Sequence, residues 1–477
     1  MKGVDLVVRN ATAVTSDWSR RVDLSVKGGQ IAGVHEPGTF IAASSVVDAG
    51  GKWVLPGLVD AHFHCRAPDH PEREDFWSGT KAAAAGGVTS VLEMPVADVG
   101  TSTVARLRSR KELAARESVV DVGLFAGCGS LSESEIGGLA AEGAVGFKIF
   151  THAPLPERMS AFDGLWLVDN GKLLQALALV AKTGLPVAIH AEDEELIRYF
   201  AGAPRDSTHP AEVYRDLRPP VVEAMAVARA CILAEATGAR IHIVHVSSRW
   251  AVDLVRMWRA KGAPVTAETC PHYMFYTEDD MVRVGKAAKV APPLRSALDA
   301  QALLDAVSDG TLQVICSDHA PFTPEDREAV DYLDAPSGVP GVEVLGQLAL
   351  SAALLGKAPL PAVLRALTEA PASIYGIFPE KGSLDVGADA DFVIYDPSYE
   401  GAVSTREWHS RARLSAGLFE GTRVRGRVEA TYVRGCLVYS RGEVTVGRGF
   451  GRVLKPRPRE AAVGSYPAAQ QILGSER

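Results

Sequence analysis

Leu58-Val59-Asp60-Ala61-His62-Phe63-His64 alternates apolar side chains with Asp60, His62 and His64 at i, i+2 and i+4. On a strand these three polar groups share one face. Seven further short β-branched or apolar runs follow, over residues 88–95, 119–127, 144–150, 186–192, 240–247, 264–271 and 312–320. Several are nearly continuous apolar stretches, as parallel strands buried on both faces require. Helix-forming segments lie between them, over 75–85, 103–118, 170–182, 221–236 and 250–261. Strict alternation of strand and helix implies a parallel sheet with right-handed crossovers. Eight such units predict an α/β fold, a closed (β/α)8 TIM-like barrel. No glycine-rich dinucleotide fingerprint follows the first strand, which weighs against an open doubly wound sheet.

The two ends read differently. Residues 1–53 hold short alternating segments (5–8, 22–26, 31–34) broken by Gly and Asn, and residues 382–450 repeat this at 390–395, 424–432 and 436–439. Punctuated by Gly387, Gly426, Gly435 and Gly442, these read as strands with turns. Neither end alone can bury a core. They are expected to pair as a small β-sandwich domain, 1–53 together with 379–455, beside a barrel over 54–378. The Pro- and charge-rich residues 456–477 are expected to run over the surface as a tail.

The chain has 477 residues, 47% of them apolar and 23% charged, which excludes extensive disorder. Its net charge of −8 argues against nucleic acid or an anionic membrane as partner, since both want a basic patch. No apolar run reaches the roughly 18 residues of a membrane span, and the start, Met1-Lys2-Gly3-Val4-Asp5, lacks the apolar core of a signal peptide. The six cysteines are scattered without a CxxC pair, so reduced thiols in a cytoplasm are expected.

The histidines carry the chemistry. His62 and His64 end the first strand, His190 the fifth, His245 the sixth and Asp318 the eighth, while Lys148 sits near the end of the fourth in Gly146-Phe147-Lys148-Ile149-Phe150. In a closed barrel these ends meet at one mouth, the face where active sites lie. Four imidazoles and a carboxylate there form a ligand set suited to Zn²⁺, Mn²⁺ or Fe²⁺. A lysine among them is a buried amine with a lowered pKa, a partner for an acid, a Schiff-base former, or a carbamate bridging metals.

Asp60–His64 (DAHFH), 146–150 (GFKIF), 190–193 (HAED), 245–248 (HVSS), 268–273 (ETCPHY) and 317–321 (SDHAP), in this order, resemble the amidohydrolase superfamily. Within it the likeness is to the cyclic-amide hydrolases: allantoinase, dihydroorotase and hydantoinase/dihydropyrimidinase. The resemblance implies two divalent metal ions, zinc first, with manganese, cobalt or iron as alternatives. His62, His64 and Asp318 would hold one ion and His190 and His245 the other, bridged by N6-carboxylysine at Lys148. It implies attack of a metal-bridging hydroxide on a cyclic amide, with Asp318 as the catalytic proton carrier. Homotetramers or homodimers are implied as well. Some relatives in the superfamily are non-catalytic assembly proteins that have lost metal ligands; all six positions are retained here.

The substrate contacts suggested by the resemblance are Arg66, His272, Ser337 and Gly338. Arg66 completes an HxHxR pattern like that with which dihydroorotases clamp a carboxylate; otherwise it is a rim arginine paired to Asp69 or Glu72. Against a dihydroorotase, Val96 follows Met94-Pro95 where that group places Asn. Hydantoinases place a Tyr shortly after the bridging lysine, whereas this loop reads Thr151-His152-Ala153-Pro154; His152 either substitutes for that Tyr or, as the preferred expectation, lies on the surface. Residues 268–273, 246–248 and 291–295 are most similar to allantoinases. A five-membered ureido ring is therefore the expected substrate, with dihydroorotate second. The insert over 194–220 and the loop around Trp166 are expected lids.

Overall fold

The computed structural model describes residues 3–97, 99–204 and 207–457. Each predicted central strand is found, as Leu58–Phe63, Val88–Glu93, Asp121–Leu124 with Ala126–Gly127, Phe147–Phe150, Val187–His190, Ile241–Ile243, Val265–Thr269 and Val314–Ile315. All pair in parallel with their neighbours, and an interruption at Phe125 divides them into sheets of three and six strands. Of their residues all but Thr266 are buried, which explains the apolar, rather than alternating, sequence pattern. Backbone bonds cross both seams between the two sheets. Phe125 N–H donates to the Glu93 carbonyl (2.9 Å) and Ala126 N–H to that of Gly146 (3.1 Å), while His64 N–H donates to the His319 carbonyl (2.9 Å).

The five predicted helices occur as Phe76–Ala85, Val104–Glu117, Asn170–Ala181, Pro220–Thr237 and Arg249–Ala260. Four of the five begin at a capping side chain. Asp75 accepts from Ser78 N–H and Asp169 from Lys172 N–H, as Thr103 and Ser248 do for their own helices. The insert after the fifth strand folds into two short helices, Glu194–Gly202 and Pro210–Asp216.

Strands from both ends of the chain form one nine-stranded sheet. Trp53–Pro56 is its seam: it runs parallel to Val4–Val14 (Thr12 opposite Trp53) and antiparallel to Phe392–Ala402 (Leu55 opposite Val393). Ala43–Asp48 and Trp53–Pro56 were not anticipated; the first is largely exposed and lacks a clear alternation. This sheet has its own core, in which Leu24, Ile31, Val54, Phe392 and Tyr432 meet. It is tied to the parallel strands by a buried charge cluster. Lys381 Nζ contacts Asp121 (2.5 Å), Asp391 (2.8 Å) and Asp389 (2.9 Å), and Arg434 also pairs with Asp121.

No helix among the described residues is long and apolar enough to cross a membrane. The expected tail lies outside the described residues from 458 onward; Arg457, just before, pairs with Glu380 at 2.7 Å.

Candidate metal centre

Five central strands bring six residues to the wall of one cavity of about 370 Å³: His62, Lys148 and His190 from within their strands, and His64, His245 and Asp318 from just beyond the ends of theirs. His62 Nε2 and His64 Nε2 lie 3.4 and 3.5 Å from the same Asp318 oxygen, Oδ1. His190 Nδ1 and His245 Nε2 face each other at 2.9 Å. The two groups are neighbours, since the His62 and His245 rings are 5.4 Å apart. Lys148 Nζ is fully buried, has no hydrogen-bond partner, and lies 4.7 Å from the Phe150 ring centroid. His245 and Asp318 both adopt left-handed backbone, with φ of 41° and 42°. Such strain in non-glycine residues costs of order 1–3 kcal/mol each and concentrates where side-chain aim matters.

Burial dominates the electrostatics. It holds His64 and His245 well below the ordinary imidazole range and brings His190 down to about 3, so these rings are neutral and offer lone pairs. Burial also lowers the Lys148 amine to about 8, against the opposing pull of Glu268 and Asp318. The Asp318 carboxyl is pushed up by burial, with His62 and Lys148 acting in the other direction. Converging neutral imidazole nitrogens, a carboxylate and an unpartnered buried amine are costly unless something engages them. This donor set suits a divalent ion of borderline hardness.

The orientation of two of these rings, His62 and His190, is set from behind. Glu268 Oε1 lies 2.5 Å from His62 Nδ1, and its other oxygen is 3.1 Å from His242 Nε2; His242 Nδ1 in turn meets Thr266 Oγ1 at 2.8 Å. Glu192 Oε2 lies 2.7 Å from His190 Nε2 and accepts from Arg218 at 2.6 Å. With the outward nitrogen donating to a carboxylate, the inward nitrogen keeps its lone pair for the cavity. Asp60 accepts from the Ser317 N–H (2.9 Å) and hydroxyl, tying the first strand to the residue before Asp318.

A family model described as "Amidohydrolase family" matches residues 53–438. The chain belongs to the amidohydrolase family. An allantoinase of Deinococcus radiodurans is 36% identical over 458 residues, covering 95% of this chain and 99% of that one. An L-hydantoinase of Paenarthrobacter aurescens is 33% identical over 467 residues, covering 96% and 99%. A solved structure of the L-hydantoinase (dihydropyrimidinase) from Arthrobacter aurescens superposes with a TM-score of 0.88 at 32% identity, covering 95% of this chain and all of that one.

In this amidohydrolase Arg66, Ser337 and Gly338 also line the cavity. Arg66 is buried over the Phe322 ring (4.9 Å), and its Nε has no hydrogen-bond partner. Burial and the nearby Arg158 and Arg73 lower its pKa to about 9. Gly338 has φ 147°, and a Cβ there would meet Ala320 at 2.5 Å. His272 is not in the cavity wall; it is fully buried on the short helix Pro271–Phe275, its ring 4.3 Å from that of Tyr273. His152, expected on the surface, lines the cavity with its ring 4.9 Å from that of His190. The chain folds back after Pro154 and pairs Trp166 with Phe150, which turns this loop inward. Glu268, Glu192 and Asp60 received no role from sequence; the signal available was an acid in, or just after, an otherwise apolar strand.

Proposed function

We propose that this amidohydrolase opens a five-membered ureido ring of the allantoin or hydantoin type by hydrolysis of a ring amide C–N bond. The observation that carries the reading is the convergence of two ligand groups and Lys148 on one cavity whose remaining wall includes Val96, Phe150, Leu155, Phe162, Ile197, Leu217 and Leu333. The allantoinase and L-hydantoinase relatives, matched over nearly their whole length, support a cyclic amide as substrate. The apolar wall favours a ring bearing a hydrophobic arm.

His62 Nε2, His64 Nε2 and Asp318 would hold one divalent ion, His190 Nδ1 and His245 Nε2 a second, and Lys148 carboxylated on Nζ would join them; zinc is the first choice. Bound divalent ions would supply a strongly acidified water and would polarise the ring carbonyl. Asp318 is placed to take the proton of the attacking water and deliver it to the leaving ring nitrogen. Glu268 and Glu192 keep the imidazoles in the tautomers this requires. Ser337 and Gly338 are read as contacts to the amide edge, and Arg66 as a contact to a carboxylate where the ring bears one.

The domains are read as a closed eight-stranded barrel over 54–378, supported by the backbone bonds at both sheet seams, and a β-sandwich from 1–53 with 379–455. A cytoplasmic setting is supported by free cysteines, five of them buried, and a homo-oligomer by the family alone.

A second reading, a dihydroorotase, rests on Arg66, whose buried Nε would suit a substrate carboxylate. Assaying hydantoin, 5-substituted hydantoins, allantoin, dihydrouracil and dihydroorotate side by side tests both. Turnover of dihydroorotate alone would replace the first reading by the second. Absence of bound metal after supplementation, with no turnover, would leave a non-catalytic protein.

A further inference from the structure

Lys289 precedes Val290-Ala291-Pro292-Pro293 and is only 2% exposed, yet it makes no ion pair among the described residues. Its ammonium donates instead to three backbone carbonyls of one loop: Tyr332 (2.7 Å), Leu333 (2.7 Å) and Ala335 (2.6 Å). The rings of Tyr214 and Tyr332 lie 4.7 and 5.6 Å from the same nitrogen. Burial and the nearby Arg218 lower its pKa to about 7, and the three carbonyls supply one acceptor for each proton of the ammonium form. The loop returns to the same residue, where Gly338 N–H donates to the Lys289 carbonyl at 2.8 Å. Arg327 reinforces the junction by donating to the carbonyls of Lys286 (2.5 Å) and Gly338. Tyr214, from the insert after the fifth strand, reaches the Val290 carbonyl (3.0 Å) and Ser337 Oγ (3.3 Å).

We infer that Lys289 is the positioning residue of the cavity wall formed by residues 332–338, holding that loop in the place where it meets the substrate ring. All three N–H groups are engaged by the loop, so none is left for substrate; the residue acts through the loop and not on the reaction. The same short segment anchors both the 332–338 loop and, through Tyr214, the insert helix Pro210–Asp216. Two walls of the mouth are thereby set by one internal cation. The inference rests on the reading of this cavity as the ring-binding site.

The test uses the full-length zinc-loaded protein carrying Lys289→Met. Amide hydrogen exchange over 332–338 is expected to rise by about tenfold or more, as for a segment that has lost its tertiary anchors. KM for the best cyclic amide is expected to rise about tenfold, with kcat and metal content little changed, because a displaced wall weakens binding without touching the metal ligands. Unchanged exchange would overturn the clamp, and raised exchange with unchanged KM would overturn its role in binding. A joint loss of kcat and metal would make Lys289 part of the metal centre's scaffold and overturn the inference likewise. If Lys289→Met does not fold, Lys289→Arg carries the same exchange test, since a planar guanidinium cannot meet three carbonyls gathered around an ammonium. A wild-type protein that turns over no cyclic amide refutes the proposed function, while the exchange measurement still decides the clamp.

Discussion

Glu268 Oε1 sits 2.5 Å from His62 Nδ1, on the side of the ring away from Asp318. The carboxylate therefore fixes the tautomer that leaves Nε2 unprotonated toward the cavity. Its own pKa is held below the ordinary carboxylate range by His62 and by the hydrogen bond from His242, despite complete burial. Glu268→Gln is expected to leave the fold intact and to weaken metal retention by about 10–100-fold. Metal content after dialysis against a graded chelator series measures this.

Lys148 gives a pH dependence with a definite sign. Its amine is lowered to about 8, so the uncharged fraction in metal-free protein grows as pH rises through that value. Carbamate formation requires the uncharged amine. At a fixed concentration of dissolved CO2, reactivation of stripped protein by zinc is expected to be faster above pH 8 than below it, the amine adding to CO2 with release of one proton, and Lys148→Ala to regain no activity at any pH. Reactivation time courses across pH check both.

Asp318→Asn removes the proposed proton carrier while preserving shape. Turnover is expected to fall by about 10²–10⁴-fold, the usual contribution of a positioned acid–base group. An unchanged circular dichroism spectrum together with unchanged metal content would locate the loss in chemistry.

The proposed contact of Arg66 would discriminate between ring types. Arg66→Ala is expected to leave kcat/KM on neutral hydantoins nearly unchanged. Any turnover of a carboxylate-bearing ring is expected to lose about 1.5–3 kcal/mol of transition-state binding, the worth of a charged hydrogen bond. The ratio of the two kcat/KM values in variant and wild type reads this directly.

Lys381→Met tests the tie between the terminal sheet and the parallel strands. It leaves Asp121 and Asp391 buried without their shared cation. Removing one partner of a buried charge group costs about 3–5 kcal/mol, and equilibrium denaturation is expected to show a loss of that order.

The parallel strands and five helices were legible because each signal is local: apolar runs, turn residues and helix caps. His62, His64, His190, His245 and Asp318 were legible because polar side chains repeatedly end apolar runs. What escaped the sequence depends on pairs distant along the chain. Glu268 beneath His62, Arg218 against Glu192 and Lys289 around the 332–335 carbonyls leave no periodic trace. His152 was misplaced because the pairing of Phe150 with Trp166 turns its loop inward, and loop composition does not encode that pairing.

The pairing of Trp53–Pro56 with Phe392–Ala402 imposes an order on synthesis. The first strands leave the ribosome with an open edge, and the strand that covers it is made only after nearly all the intervening residues. Domains generally fold as units during translation, and unpaired edges promote aggregation until they are covered. The parallel strands and their helices can therefore assemble while the opening segment waits, so a ribosome stalled before residue 392 would carry a nascent chain whose beginning is still unfinished.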